Sequence, residues 1–188
     1  RRHAQQAYKL TQEVDDRWFM AYCLNVLGEI ATRLGDYAVA KEYFETMYGL
    51  REEFNDPEGM ALAINHLGEI AWREGRYEIA LRHYRQSHSL YQKVGDRGGL
   101  AKALYGIGNT SLMLGDYAAA AQYIRQALQI AAAIQYVPLL FHLFIAAGDL
   151  LLQTEHPQAG YETLALALRH ASSDHETRAA TQRLLVHY

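Results

Sequence analysis

Nine histidines, one cysteine and 21 acidic residues are the groups in this 188-residue chain that could bind metal, form a thiolate or move protons. Their spacing argues against such chemistry. His83 and His88 stand five residues apart, and His66 and His142 lie far apart in the chain, not at the one-turn separation with which a helix offers two imidazoles to zinc. Cys23 is the single cysteine, which excludes a paired-cysteine zinc site and an internal disulfide framework and is compatible with a reducing compartment. The sequence holds no Walker phosphate loop, no HExxH pair and no Gly-x-Ser-x-Gly elbow. Carboxylates such as Glu29 and Glu69 recur, but recurrence without a pocket does not make an acid/base pair. The expectation is therefore no catalytic residue, no metal and no cofactor, with the histidines solvated or packed.

What does recur is a polar pattern. Asn25 and Asn65, Glu29 and Glu69, and Arg33 and Arg73 are each forty residues apart. They sit in two nearly identical stretches, LNVLGEIATRLGDY from Leu24 and INHLGEIAWREGRY from Ile64. The same offset links Gly28, Gly68, Gly108 and Gly148, and also Gly35, Gly75 and Gly115. A period between about 20 and 50 residues is the signature of stacked structural units, each burying its apolar face against its neighbours.

The unit can be read as two helices. Asp16, Asp56 and Asp96 recur where a helix starts, followed by Arg17, Pro57 and Arg97; aspartate accepts from the free N–H groups there, and proline is tolerated at the first helical position. Apolar residues at helical spacing then run to Gly35, Gly75 and Gly115, whose backbone freedom ends a helix. A second helix starts at Tyr37, Tyr77 and Tyr117 and ends near Phe54, Val94 and Ile134. Mid-helix glycine costs about 1 kcal/mol relative to alanine, so Gly28 and its equivalents imply a close helix crossing. Ala40, Ala80, Ala120 and Gly160 are expected to face them, with Phe44, Tyr84, Ile124 and Leu164 filling the adjoining space.

Charge and hydropathy narrow the partners. A net charge of -3 gives no basic stripe for a phosphate backbone, so direct nucleic-acid binding is not expected. The most apolar stretch, Val137 to Leu152, is shorter than the roughly 18 apolar residues of a membrane span and carries His142 and Asp149. The opening RRHAQQAYKL has neither Met nor an apolar signal core, and reads as the interior of a longer cytoplasmic protein rather than a leader or natural start.

These residues resemble the tetratricopeptide repeat. Its pattern of large apolar, Leu-Gly, small residue, Ala and aromatic is met by Leu24, Leu27, Gly28, Ala31, Ala40 and Phe44. It returns at Ile64, Leu67, Gly68, Ala71, Ala80 and Tyr84, and at Leu104, Ile107, Gly108, Ser111, Ala120, Ile124 and Ala127. A fourth copy is degraded at Ala147, Leu151 and Gly160 but keeps Phe144, Gly148, Leu164 and Ala167. The resemblance implies an all-α, antiparallel helix-pair solenoid forming a right-handed superhelix. It implies one array: a half-unit over 1–14 with Ala4, Leu10 and Val14 matching Phe44, Leu50 and Phe54, pairs over about 16–54, 56–94, 96–134 and 136–171, and a further unit over 174–188 capped by Asp174.

In that family the first helices line a concave groove that binds a peptide or a partner protein. Alignment places Tyr22, Asn25, Glu29, Thr32 and Arg33 there, then Leu62, Asn65, Glu69, Trp72 and Arg73, then Lys102, Tyr105, Asn109, Leu112 and Met113, then His142, Ile145, Asp149, Leu152 and Gln153. Asn25 and Asn65 stand out because an amide both donates to and accepts from an extended backbone. Tyr37, Tyr77 and Tyr117 are expected to pack, and Trp72 to pack or to anchor a ligand. Lys102 alone does not reproduce the basic clamp of chaperone-binding members. The long units look like those of bacterial STAND-type signalling ATPases, Rap-type peptide-sensing regulators and kinesin light chains. They imply a sensor part that binds an inducer or other domains of its parent chain, with a peptide-pheromone receptor or a constitutive scaffold as alternatives.

Overall fold

The structure, a computed structural model, describes residues 2–154, 156–169 and 175–187. Among them there is no strand, and ten helices follow one another. They are α1 (Arg2–Glu13), α2 (Arg17–Leu34), α3 (Tyr37–Glu53), α4 (Pro57–Arg73) and α5 (Tyr77–Val94), then α6 (Arg97–Met113), α7 (Tyr117–Ala133), α8 (Val137–Gln153), α9 (Pro157–Arg169) and α10 (His175–His187). Asp174 lies outside the described residues. No helix among the described residues is long and apolar enough to cross a membrane.

The boundaries follow from caps written into each unit. The N–H groups of Phe19 and Gly59 donate to Asp16 Oδ1 and Asp56 Oδ1, each at 3.0 Å, and Gly98 N–H donates to Asp96 Oδ1 at 2.9 Å. At the other end Gly35, Gly75 and Gly115 take φ of 80°, 73° and 77°, where a side chain would be strained. A second left-handed position escaped the sequence reading. Asp15, Asn55, Gly95 and Gln135, again forty apart, all have positive φ at or just beyond the end of a second helix, and only one of the four is glycine.

Contacts group the chain into two compact units, Arg1–Gly99 and Leu100–Tyr188. In the first, α1 packs on α2, α2 on α3, α3 on α4 and α4 on α5, so sequence neighbours are packing neighbours. Its buried centre includes Leu24, Phe44, Met47 and Ile70. A Cβ built on Gly28 would stand 2.5 Å from the Phe44 ring, and one on Gly68 would stand 3.0 Å from Tyr84. Phe44 and Tyr84, the large residues expected beside the crossing, lie directly over these two glycines. A charged joint closes the same unit. Arg51, 8% exposed in its side chain, pairs with Asp56 at 3.0 Å, and its guanidinium lies 4.3 Å from the Trp18 ring centroid.

The second unit has its own buried cluster, with Leu104, Ile124, Leu139 and Leu143 among its members, and here α7 packs on α8 and α8 on α9. Gly148 again sits under a large residue, 2.7 Å from Leu164 as a built Cβ, but Gly160 would also come within 3.0 Å of the Gly148 carbonyl, so here the two backbones do approach.

Two helices, α8 and α1, expose residues that the alignment matched to the core pattern. Phe144 is 40% exposed although Leu24, Ile64 and Leu104 at the equivalent place are buried. The cause lies in α8 itself: Phe141 and Leu143 are buried where earlier units place Ala21, Ala61 and Ala101, and Cys23, Ala63 and Ala103. Burying those larger groups turns Phe144 outward. Leu10 is exposed at 60%, unlike Leu50 at 6%, while Val14, at 73%, matches Phe54, itself 43% exposed. The reason is positional, since α3 is packed by both α2 and α4 whereas α1 packs on α2.

Candidate functional site

A helix repeats its faces every three to four residues, so Tyr22, Asn25, Glu29 and Arg33 share one side of α2, and Asn65, Glu69, Trp72 and Arg73 share one side of α4. In the first unit α2 and α4 touch, which brings the two rows together. Asn25 Nδ2 donates to Glu29 Oε1 at 3.1 Å, one turn along. Arg73 donates to Glu69 Oε1 through Nε at 3.0 Å and Nη2 at 2.9 Å.

The residue that joins the rows is His66. Its Nε2 stands 3.7 Å from Glu29 Oε1 and its Nδ1 3.6 Å from Glu69 Oε2, while its ring stacks on Phe44 with centroids 4.4 Å apart and planes 10° from parallel. The sequence reading had set His66 aside with the other histidines. A signal was present: Val26, Gly106 and Ala146 hold the equivalent place, so an imidazole there departs from the repeat.

The electrostatics follow from this cluster. Burial pushes the Glu69 carboxyl up, but hydrogen bonding to and charge from His66, with the charge and hydrogen bonds of Arg73, outweigh it and bring the carboxyl down to about 2. Glu69 is therefore a fixed negative charge at neutral pH. Around it lie polar atoms that are covered but not hydrogen-bonded, namely Asn25 Oδ1, Asn65 Oδ1 and Trp72 Nε1. Each such atom costs roughly 1–3 kcal/mol of lost solvation. Both asparagines remain part-exposed as residues, so rotation of their amides can present the covered end to a ligand.

Trp72 packs at a tilt on Tyr77, with ring centroids 6.4 Å apart, which ties the α4 row to the start of α5. Tyr22 is exposed at 61% and stacks on Phe19, whose centroid is 6.1 Å away, while Arg33 is exposed at the end of α2. Three positions expected on the wall are instead buried. Thr32 donates to the Gly28 carbonyl at 2.9 Å, and Leu112 and Leu152 are 5% and 9% exposed. Local bonding and packing, not a ligand, account for them.

In the second unit Lys102, Tyr105 and Asn109 on α6 and His142 and Asp149 on α8 are all part-exposed. Tyr105 and His142 meet with ring centroids 6.0 Å apart at 38°. Lys102 Nζ stands 5.5 Å from the centroid of Tyr136, within cation–π range. Tyr136 was not among the expected site residues, although it replaces the aspartate of Asp16, Asp56 and Asp96 and so announces itself as an exception. Among the described residues no cluster of three or more His, Cys, Asp or Glu side chains could hold a metal ion.

Two family models, both described as tetratricopeptide repeat, match residues 21–54 and 59–133. No curated protein matches the chain. Among solved structures, the crystal structure of BtubC (BKLC) from P. vanneervenii is similar, with a TM-score of 0.74 and 16% identity over 98% of this chain and 81% of that one. At that identity the likeness speaks for the fold. The two family models together cover residues 21–54 and 59–133, more than half of the chain, and place those stretches in the tetratricopeptide-repeat family.

Proposed function

We propose that this chain is a protein- or peptide-binding module whose first unit receives an extended ligand segment along the α2/α4 wall. Tetratricopeptide repeats are in general protein-binding modules, and the observation that supports this location is the polar row itself. Asn25 Oδ1 and Asn65 Oδ1 are covered acceptors without a hydrogen bond, Trp72 Nε1 is a donor in the same state, and Glu69 is held ionised beside them. A packed solenoid gains nothing by leaving such groups unmet, whereas a backbone with alternating N–H and C=O groups supplies partners for both kinds. Glu29 and Arg33, with Glu69 and Arg73, give the wall both signs of charge, which suits a ligand of mixed charge rather than an acidic tail. In the second unit Lys102, Tyr105, Asn109, His142 and Asp149 form the corresponding proposed surface.

On the finer level, the module acts as the sensor part of a bacterial, cytoplasmic STAND-type signalling ATPase, binding an inducer or other domains of that parent chain. The forty-residue unit supports this reading, which rests on repeat style. A constitutive scaffold is the second reading, and a specific observation favours it: Phe19 and Val26, 49% and 37% exposed, extend from Tyr22 as an apolar stripe on α2 beside the polar row.

Selection of a random-peptide display library on the chain separates the two. Enriched peptides should lose about tenfold or more in affinity on Asn65→Ala, with the helical circular dichroism retained. Peptides that bind Asn65→Ala as tightly as the parent, but lose affinity on Phe19→Ala, would move the function to the apolar stripe.

A further inference from the structure

A second cleft opens in the first unit on the other side of α4. Leu67, Ile70 and Ala71 of α4 form its floor, Lys41 and Glu45 of α3 one rim, and Arg76, Ile79 and His83 the other. These α4 residues lie across the helix from Asn65, Glu69 and Trp72, so the cleft is separate from the polar wall. Its volume is about 250 Å³, and an adjoining hollow of about 210 Å³ shares Glu45, Leu67 and His83 with it.

The repeat shows what is unusual here. Asp36 and Asp116 occupy the place that precedes the second helix in the first and third helix pairs, and Arg76 stands there in the second. Asp116 accepts from the Ala119 N–H at 3.0 Å, whereas neither α3, preceded by Asp36, nor α5 receives a hydrogen bond from its cap side chain. A carboxylate has thus been exchanged for a guanidinium at the mouth of the cleft. Departures from a local rule of this kind are expected where function outweighs stability. The free first-turn N–H groups of α5 add a partial positive charge to the same rim.

The two cations of the lining, Lys41 and Arg76, outnumber its one carboxylate, Glu45. Lys41 and Glu45 stand 3.6 Å apart with about half of each side chain exposed, a weak pair in exchange with water. Arg76 bonds to Glu74, which lies outside the lining. Burial lowers the pKa of His83, and the charges of Arg82, Lys41 and Arg76 lower it further against the opposing charge of Glu45, as expected of a net positive field over an apolar floor.

We infer that this cleft binds a small amphiphilic anion, a carboxylate on an apolar body, with the carboxylate between Arg76 and Lys41 and the body on Leu67, Ile70 and Ile79. At about 30 Å³ for each water-sized group, the larger hollow holds about eight heavy atoms, the size of hexanoate. A ligand that small binds with a Kd on the order of 1 mM.

The test is a titration of the full chain with sodium hexanoate, followed by amide and methyl chemical shifts, with hexan-1-ol as the uncharged control. Saturable shifts should centre on Leu67, Ile79 and His83, and hexanol should bind about tenfold more weakly. Arg76→Asp, which restores the residue used in the neighbouring pairs and with it a cap for α5, should weaken hexanoate about tenfold while the thermal midpoint holds or rises. Lys41→Gln should act in the same direction. Equal binding of hexanol and hexanoate, unchanged hexanoate binding in Arg76→Asp, or no saturable shift at these residues would each overturn the assignment.

Discussion

Asp56 carries two duties where Asp16 carries one. Both cap a first helix at 3.0 Å, but only Asp56 also neutralises the buried Arg51 guanidinium. Asp16→Ala should therefore cost about 1 kcal/mol, the ordinary loss of a cap. Asp56→Ala should cost about 2–4 kcal/mol, because it also leaves a buried cation unpaired. Urea denaturation of the two variants side by side checks this, and equal losses would show that the Arg51 pair contributes nothing. The same residues mark what was legible in the sequence. The caps could be read because aspartate at a fixed interval has one common structural use, whereas the pairing of Asp56 with Arg51 depends on two helices meeting. His66 was hidden for a similar reason: its imidazole gains meaning only where α4 brings it against Phe44 and Glu29 of the preceding pair.

Between elements, the α2/α4 contact carries a polar row in which His66 lies 3.7 Å from Glu29 and 3.6 Å from Glu69, and Glu69 pairs with Arg73 at 2.9 Å. The folded state lowers the Glu69 carboxyl from 4.5 to about 2, so it binds a proton less readily than the unfolded chain does. Its contribution to stability is fully present above about pH 4.5 and is lost as the pH falls towards 2. With about a third of the side chain open to water, the contribution is about 1 kcal/mol after screening. Glu69→Gln should flatten the acid limb of a stability profile between about pH 5 and 2, and an unchanged limb would remove this carboxylate from the account. The start and end of most helices were legible from Asp, Gly and Tyr at forty-residue intervals. The outward turn of Phe144 was not, because it follows from the combined bulk of Phe141 and Leu143, which a position-by-position alignment does not weigh.

At the scale of the whole molecule, repetition made the fold readable and also sets the limit of what can be read. A period fixes the positions that every unit needs, such as Gly28 under Phe44 and Gly148 under Leu164. The proposed sites draw on the exceptions: His66 among small or apolar equivalents, Arg76 among aspartates, and Tyr136 in place of a cap. The net charge of -3 gives no general attraction to any polyanion, so specificity rests on the local rows of each compact unit. The most direct measurement is backbone amide NMR of the isotopically labelled chain titrated with a peptide selected on it. Our account expects the largest shifts at Asn25, Glu29, Asn65, His66, Glu69 and Trp72 on α2 and α4. Shifts confined to Phe19 and Val26, or to α3 and α5, would contradict it.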